Sequence, residues 1–120
     1  MNISSAQMDI YRQATRRREK KRKAEIAARL ERAWVVAREA ADILKKDFDA
    51  NKVVAFGSLA QSERFHLMSD IDIAVWDVRH YFRAVTRLLD IDPAFEVNLV
   101  PVEDARPELL VNIEKDGIEL

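Results

Sequence analysis

Two aspartates two positions apart, Asp70 and Asp72, follow a Gly-Ser pair, Gly57-Ser58, within the stretch VVAFGSLAQSERFHLMSDIDIAV at residues 53–75. Carboxylates are the hard oxygen ligands that a divalent ion such as magnesium requires. A glycine directly after an apolar, strand-like run lets backbone approach a ligand closely, and the N–H groups that open a following helix favour bound phosphate. Alternate side chains of a strand share a face, so Asp70 and Asp72 project to one side while Ile71 and Ile73 pack on the other. Aspartate is depleted in strands, and two of them on one strand face need a reason. The constellation points to a site for phosphate groups and a divalent metal; the plainer alternative is outward charge on an edge strand.

The elements that must position these groups are legible from periodicity. Short β-branched runs at 52–56, 71–76 and 95–100 read as strands. Between the first two, residues 58–65 are expected to form a short helix that opens at the Gly-Ser turn. Between the second and third, residues 79–89 form an amphipathic helix through Phe82, Val85, Leu88 and Leu89, and Pro93 breaks the chain before the third strand. A last helix is expected to start near Pro107 and to end before Gly117, in the position of a C-terminal cap. Residues 5–48 contain neither proline nor glycine and are rich in helix formers. They predict one helix on the order of 60 Å long. Its second half carries a seam of Ala27, Leu30, Trp34, Ala37, Ala41, Leu44 and Phe48 at alternating spacings of three and four, the stripe that lies on a core or on a partner helix. The expected fold class is α/β (α+β): a small mixed sheet of three to four strands flanked by helices, with residues 1–50 as the long N-terminal helix and 51–120 as the domain that holds the site.

The net charge of the 120-residue chain is -1, which by itself names no partner. Its distribution is more informative. Of 20 basic and 21 acidic residues, the octet RRREKKRK at 16–23 takes seven and one, so the remainder holds 13 basic against 20 acidic residues. A basic arm is attached to an acidic body. Such an arm is a solvated helical face, a bridge to another subunit, or a contact for nucleic-acid phosphates, although few aromatic residues lie near it for base stacking. With no cysteine, disulfides, thiolate metal sites and cysteine nucleophiles are excluded. No apolar stretch reaches the roughly 18 residues of a membrane span, and the opening MNISSAQMDI lacks a signal-peptide core, so no membrane partner and a cytoplasmic location are expected.

The pattern of Gly57-Ser58, an intervening stretch of about ten residues and then SDIDIAV resembles the minimal nucleotidyltransferases, small members of the DNA polymerase β-like nucleotidyltransferase superfamily. The resemblance covers the chain from Lys52 to its C-terminus. It implies a nucleotidyltransferase fold, nucleotide contacts from Gly57, Ser58 and Ser69, and magnesium held by Asp70 and Asp72, with two ions expected when ATP or another nucleoside triphosphate is bound. The sequence departs from the family on the third strand, where Asn98 in Val97-Asn98-Leu99-Val100 stands at the place of a third carboxylate. An amide takes no proton as a carboxylate does and is a weaker metal ligand. Either Glu96, two residues earlier on the same face, substitutes as the third catalytic group beside Asp70 and Asp72, or the protein transfers nucleotide slowly or not at all. Arg64 and His66, between the motif halves, lie within reach of a triphosphate or acceptor, although a lone loop histidine is more often simply solvated.

Family members of this kind act as antitoxins, paired with a small helical HEPN-type ribonuclease toxin to which they transfer AMP from ATP. The resemblance therefore implies an adenylyltransferase antitoxin that docks through its long helix in a homo- or hetero-oligomer. The alternatives are an impaired nucleotidyltransferase-fold module for binding or oligomerisation, and a protein that contacts nucleic acid through its basic helix.

Overall fold

The computed structural model describes residues 3–120, an elongated body of 65 × 30 × 21 Å. Its length is that of the first helix, α1, Ser5–Asp47. A reciprocal cap starts it: the Ser4 hydroxyl accepts the Gln7 N–H at 3.2 Å, and the Gln7 side chain accepts the Ser4 N–H at 2.9 Å. Phe48 ends it, and Asp49 turns the chain at a φ of 55°. Ile26 is the first of its side chains to pack on the core, so the segment that carries the basic octet extends beyond the body.

The seam read in the sequence lies on the core from Leu30 to Phe48, and the buried stripe of α1 is wider than it. Ala33, Val36, Ala37, Ala40, Ala41, Ile43 and Leu44 are buried, Leu30 and Trp34 pack at the margin, and Ala27 is exposed. Four alanines let the helix approach the sheet closely. The large ring of Trp34 fits only at the edge, where the gap widens.

Four strands form one sheet in the order β3-β2-β1-β4: β1 is Lys52–Phe56, β2 Ile71–Trp76, β3 Val97–Pro101 and β4 Ile118–Glu119. β1 pairs antiparallel with β2 and with β4, while β2 and β3 run parallel and are joined through α2, Tyr81–Leu89. The sheet is mixed, as expected, and β4, too short for a periodic signal, completes it. Val53, Ala55, Ile71, Ile73, Val75, Val97 and Leu99 face α1 and α2 in the main core. Val54 and Ala74 face the other way, against Ile113 of α3, Pro107–Asp116. Gly117 caps α3 as expected, its N–H donating to the Ile113 carbonyl at 2.9 Å. It is extended rather than left-handed, and a Cβ there would come within 2.5 Å of Val54 Cγ1.

Three local expectations are corrected. Residues 58–65 form no α-helix but two 3-10 turns, Gly57–Leu59 and Ser62–Arg64. Leu59 and Phe65 are both buried. α2 starts at Tyr81 because Asp77 and His80 take left-handed backbone, and it packs through Ala84 and Leu88. Phe82 and Leu89 point to solvent, Phe82 edge-on to Tyr81 at 5.4 Å. β3 begins at Val97, so Glu96 precedes the strand and is exposed. No helix among the described residues is long and apolar enough to cross a membrane.

α1 is tied to the loop before β3 by the nearly buried Asp92, whose carboxylate accepts from Arg32 Nε at 2.7 Å and from the Ala94 N–H at 2.9 Å. These two donors, Ala94 first, hold its carboxyl below the usual carboxylate range. A depressed folded value means that the stability gained is present above the ordinary value and lost as pH falls through the folded one. Asp92→Asn is therefore expected to lower stability at neutral pH, the deficit shrinking below about pH 4. Urea denaturation of both proteins across a pH series checks this.

Candidate functional site

The end of β1, the start of β2 and the middle of β3 meet on the α3 side of the sheet. Strand register sets Phe56 opposite Asp72 and Asp72 opposite Asn98. All three side chains therefore emerge on one face, while Ile71 and Ile73, each 0% exposed, anchor β2 in the main core. The carboxylate is thus carried on a strand that cannot rotate without exposing two isoleucines.

The residue after Phe56 has to leave room for that carboxylate. Gly57 has a φ of 68°, and a Cβ built on it would stand 2.5 Å from Asp72 Oδ2. Both the backbone conformation and the space demand glycine. The close approach inferred from the sequence is thus made first by the protein's own metal-ligand candidate. Beyond it, the Ala60 and Gln61 N–H groups donate to the Gly57 and Ser58 carbonyls. The N–H groups of Gly57 and Ser58 open this turn beside the Asp72 carboxylate. A single 3-10 turn carries little helix dipole, so any hold on phosphate here rests on these few amides and the half-buried Ser58 rather than on a helix terminus.

Asp72 is half-buried, and Asn98 Nδ2 donates to its Oδ1 at 3.0 Å. Burial pushes its carboxyl up from the usual value, the Asp70 charge adds to the rise, and the Asn98 hydrogen bond opposes it. Neither Asp70 nor Asp72 forms an ion pair among the described residues. Two like charges, one of them partly desolvated, without a basic side chain to balance them, suit a divalent cation held by oxygen ligands. The donor set fits magnesium. No group of three His, Cys, Asp or Glu side chains that could hold a metal occurs among the described residues, so the coordination shell would be completed by phosphate oxygens and water.

Asp70 lies one residue before β2 and is half-buried. Its neighbour Ser69 is buried; its hydroxyl accepts the His66 N–H at 2.9 Å and its own N–H donates to the His66 carbonyl at 3.1 Å. This closes the turn that leads into Asp70. Glu96 stands beside Asp70 across the parallel pair, one step before Ile71↔Val97, and its carbonyl accepts the Ile71 N–H at 3.0 Å. His66 is exposed, with Nδ1 accepting the Met68 N–H. Arg64 donates to Gln61 Oε1 at 2.9 Å and lines a cleft of about 220 Å³ with Gly57, Asn112 and Asp116, between the Gly-Ser turn and α3. Larger clefts of about 510 and 460 Å³ open along α1 and α2, away from the aspartates. No local sequence signal marks Arg29, which reaches the Ser69 carbonyl from α1 yet is one arginine among many on a charged helix.

A profile of the family described as Polymerase beta, Nucleotidyltransferase matches residues 38–120. Among solved structures, a toxin–antitoxin crystallised with AMP-PNP contains a chain that superposes with a TM-score of 0.55 at 23% identity, over 68% of this chain and 69% of that one. A variant of the toxin–antitoxin MntA-HpeT gives 0.56 at 23% over 69% and 70%. A tri-AMPylated HEPN toxin of Shewanella oneidensis in complex with MNT antitoxin gives 0.54 at 18% over 72% and 70%. At these identities the likeness establishes a common fold. No curated protein sequence matches the chain.

Two outcomes test the site's geometry. Gly57→Ala is expected to lose about 1–2 kcal/mol from the left-handed backbone alone. The loss should be smaller in an Asp72→Ala background, where the clashing carboxylate is gone; a double-mutant cycle in urea measures the coupling. Because its folded value is raised, ionised Asp72 opposes folding at neutral pH, a cost that disappears once both states are protonated, below about pH 4. In EDTA, Asp72→Asn should therefore raise the Tm at neutral pH and lose that advantage in acid.

Proposed function

Because the chain belongs to the polymerase β nucleotidyltransferase family, matched over residues 38–120, we propose that it binds a magnesium–nucleoside triphosphate, ATP in the leading reading, and transfers the nucleotidyl group to a partner protein. The observation that supports this reading is the lodging of the half-buried Asp72 carboxylate in the space left by Gly57, which sets the proposed metal ligand beside the proposed phosphate-binding turn. Gly57, Ser58 and Leu59 would take the outer phosphates. Asp70 and Asp72 would hold magnesium, which when bound screens the triphosphate and favours in-line displacement of pyrophosphate.

The chain's own residues do the rest. Asn98 keeps the Asp72 carboxylate turned towards the site, and the buried isoleucines on either side fix the strand beneath it. Ser69 contributes through the turn that aims Asp70. Glu96, exposed beside Asp70, would take the acceptor's proton as it attacks the α-phosphorus. The acceptor has to be presented by another protein, and a small helical HEPN-type toxin, the kind of partner named for one of the structural relatives, is the proposed partner, with α1 as the docking element. In this role the protein is an antitoxin.

One observation favours a second reading. The amide of Asn98, not a carboxylate, hydrogen-bonds Asp72 at the position opposite it on β3. A site with two acidic ligands and an amide binds magnesium–nucleotide but catalyses slowly, acting mainly as a nucleotide-responsive binding module.

Calorimetric titration and an adenylylation assay with a co-purified helical partner distinguish these outcomes. Magnesium-dependent ATP binding is expected for the native protein and is lost in Asp70→Asn and Asp72→Asn. Mass spectrometry should detect added AMP on the partner, and Asn98→Asp should speed its appearance by about tenfold or more if a positioned base limits the rate. Absence of magnesium-dependent ATP binding would refute both readings; binding without transfer in either protein would leave only the module.

A further inference from the structure

Arg29 sits on α1 near the point where the helix first touches the body. Its guanidinium fork spans two loops. Nη2 donates to the Ser69 carbonyl at 2.9 Å and Nη1 donates to the Ala94 carbonyl at 3.2 Å. The cation lies over the buried Phe95 ring, 4.2 Å from its centroid, a stacked arrangement that removes it from water on one side. The Ser69 carbonyl belongs to the peptide that leads into Asp70. The peptide on the far side of Asp70 is fixed in turn, by the Ile71 N–H donating to Glu96. Asp70 therefore stands between two clamps, one from α1 and one from the approach to β3.

The geometry is not the one that best satisfies the arginine. Its Nε is buried and has no hydrogen-bond partner. An orphaned buried donor costs about 1–3 kcal/mol. What the side chain gains in exchange is simultaneous contact with two carbonyls and a ring, which a lysine ammonium, a point donor on a flexible stem, cannot reproduce.

We propose that Arg29 is a positioning residue for the carboxylate pair: it fixes the direction in which the chain leaves the 66–69 turn and thereby the placement of Asp70 relative to Asp72. This inference rests on the reading of those aspartates as a magnesium–nucleotide site. It makes α1 part of the site's support as well as a covering helix. The outer ligands of metal sites are commonly held this way, and loss of such a support weakens metal affinity about 10- to 100-fold.

The test uses the full chain, native and as Arg29→Met, Arg29→Lys and Arg32→Met. The last severs the neighbouring tie from the same helix to the same loop without touching Ser69. Calorimetry with MgATP should show affinity about 10- to 100-fold weaker in both Arg29 variants and unchanged in Arg32→Met. ATP binding without magnesium should be the same in all four. Hydrogen exchange of the nucleotide-free proteins should be faster at residues 66–72 in the Arg29 variants, including the lysine form that keeps the charge, than in Arg32→Met. Native-like MgATP affinity in the Arg29 variants, or an equal loss in Arg32→Met, overturns the proposal. If the native protein itself fails to bind MgATP, the functional reading falls and the exchange arm alone decides: faster exchange at 66–72 confined to the Arg29 variants upholds the positioning role, and exchange equal to that of Arg32→Met ends it.

Discussion

The carboxylate of Asp72 and the bare Cα of Gly57 occupy one another's space, and the site is arranged around that contact. Antiparallel register sets Phe56 across from Asp72, so the residue that follows β1 comes close to the carboxylate, where an added Cβ would stand 2.5 Å from Oδ2. A residue with a Cβ would push the side chain away or twist the strand end. With glycine, the chain swings into left-handed backbone and immediately starts a 3-10 turn, which carries the Ser58 and Leu59 N–H groups past the acid. Parallel register on the other side delivers Asn98 to within hydrogen-bonding distance of the same oxygen pair. β2, β3 and the turn after β1 thus each contribute one group around the Asp72 carboxylate.

Holding unbalanced acids at the start of an interior strand is unfavourable for folding, and the core offsets it. Ile71 and Ile73 flank Asp72 on β2 and are fully buried beneath α1 and α2. Burial of such side chains stabilises by roughly 1.5–3 kcal/mol each. The alternation of apolar and acidic residues on β2 therefore assigns opposite duties to its two faces, and the alanine stripe of α1 lets the helix sit close enough to make the apolar face rigid. α1 is also bound to the loops beside the site through Arg29 and Arg32. The helix that bears the exposed basic octet is mechanically continuous with the support of Asp70.

What could be read in the sequence was whatever periodicity or backbone chemistry writes locally. β1 and β2 have the bounds that their apolar runs indicate, α3 lies between Pro107 and Gly117, and the two faces of β2 follow from strict alternation. The seam of α1 holds from Leu30 to Phe48, but a spacing rule includes the exposed Ala27 and leaves out Ala33, Val36, Ala40 and Ile43, which widen the buried stripe. The 58–65 segment has too few apolar residues to reveal a period, and the burial of Leu59 and Phe65 is decided by the core that receives them. β4 has two residues and exists only because β1 offers it an edge. The contacts of Arg29 and Asp92 join residues far apart in sequence, and nothing local distinguishes either side chain from its charged neighbours. Asn98, by contrast, stood out at once, and its hydrogen bond to Asp72 gives that departure from the family a physical form.

The central claim is that the two aspartates and the Gly-Ser turn together receive a divalent ion and a triphosphate. Its most direct test is anomalous diffraction from crystals grown with manganese and a non-hydrolysable ATP analogue. An anomalous peak ligated by oxygens of both Asp70 and Asp72 at about 2.0–2.3 Å is expected, with the outer phosphates against Gly57, Ser58 and Leu59. Nucleotide bound along α1 or α2 instead, or metal carried on phosphate with both carboxylates turned away, would contradict it.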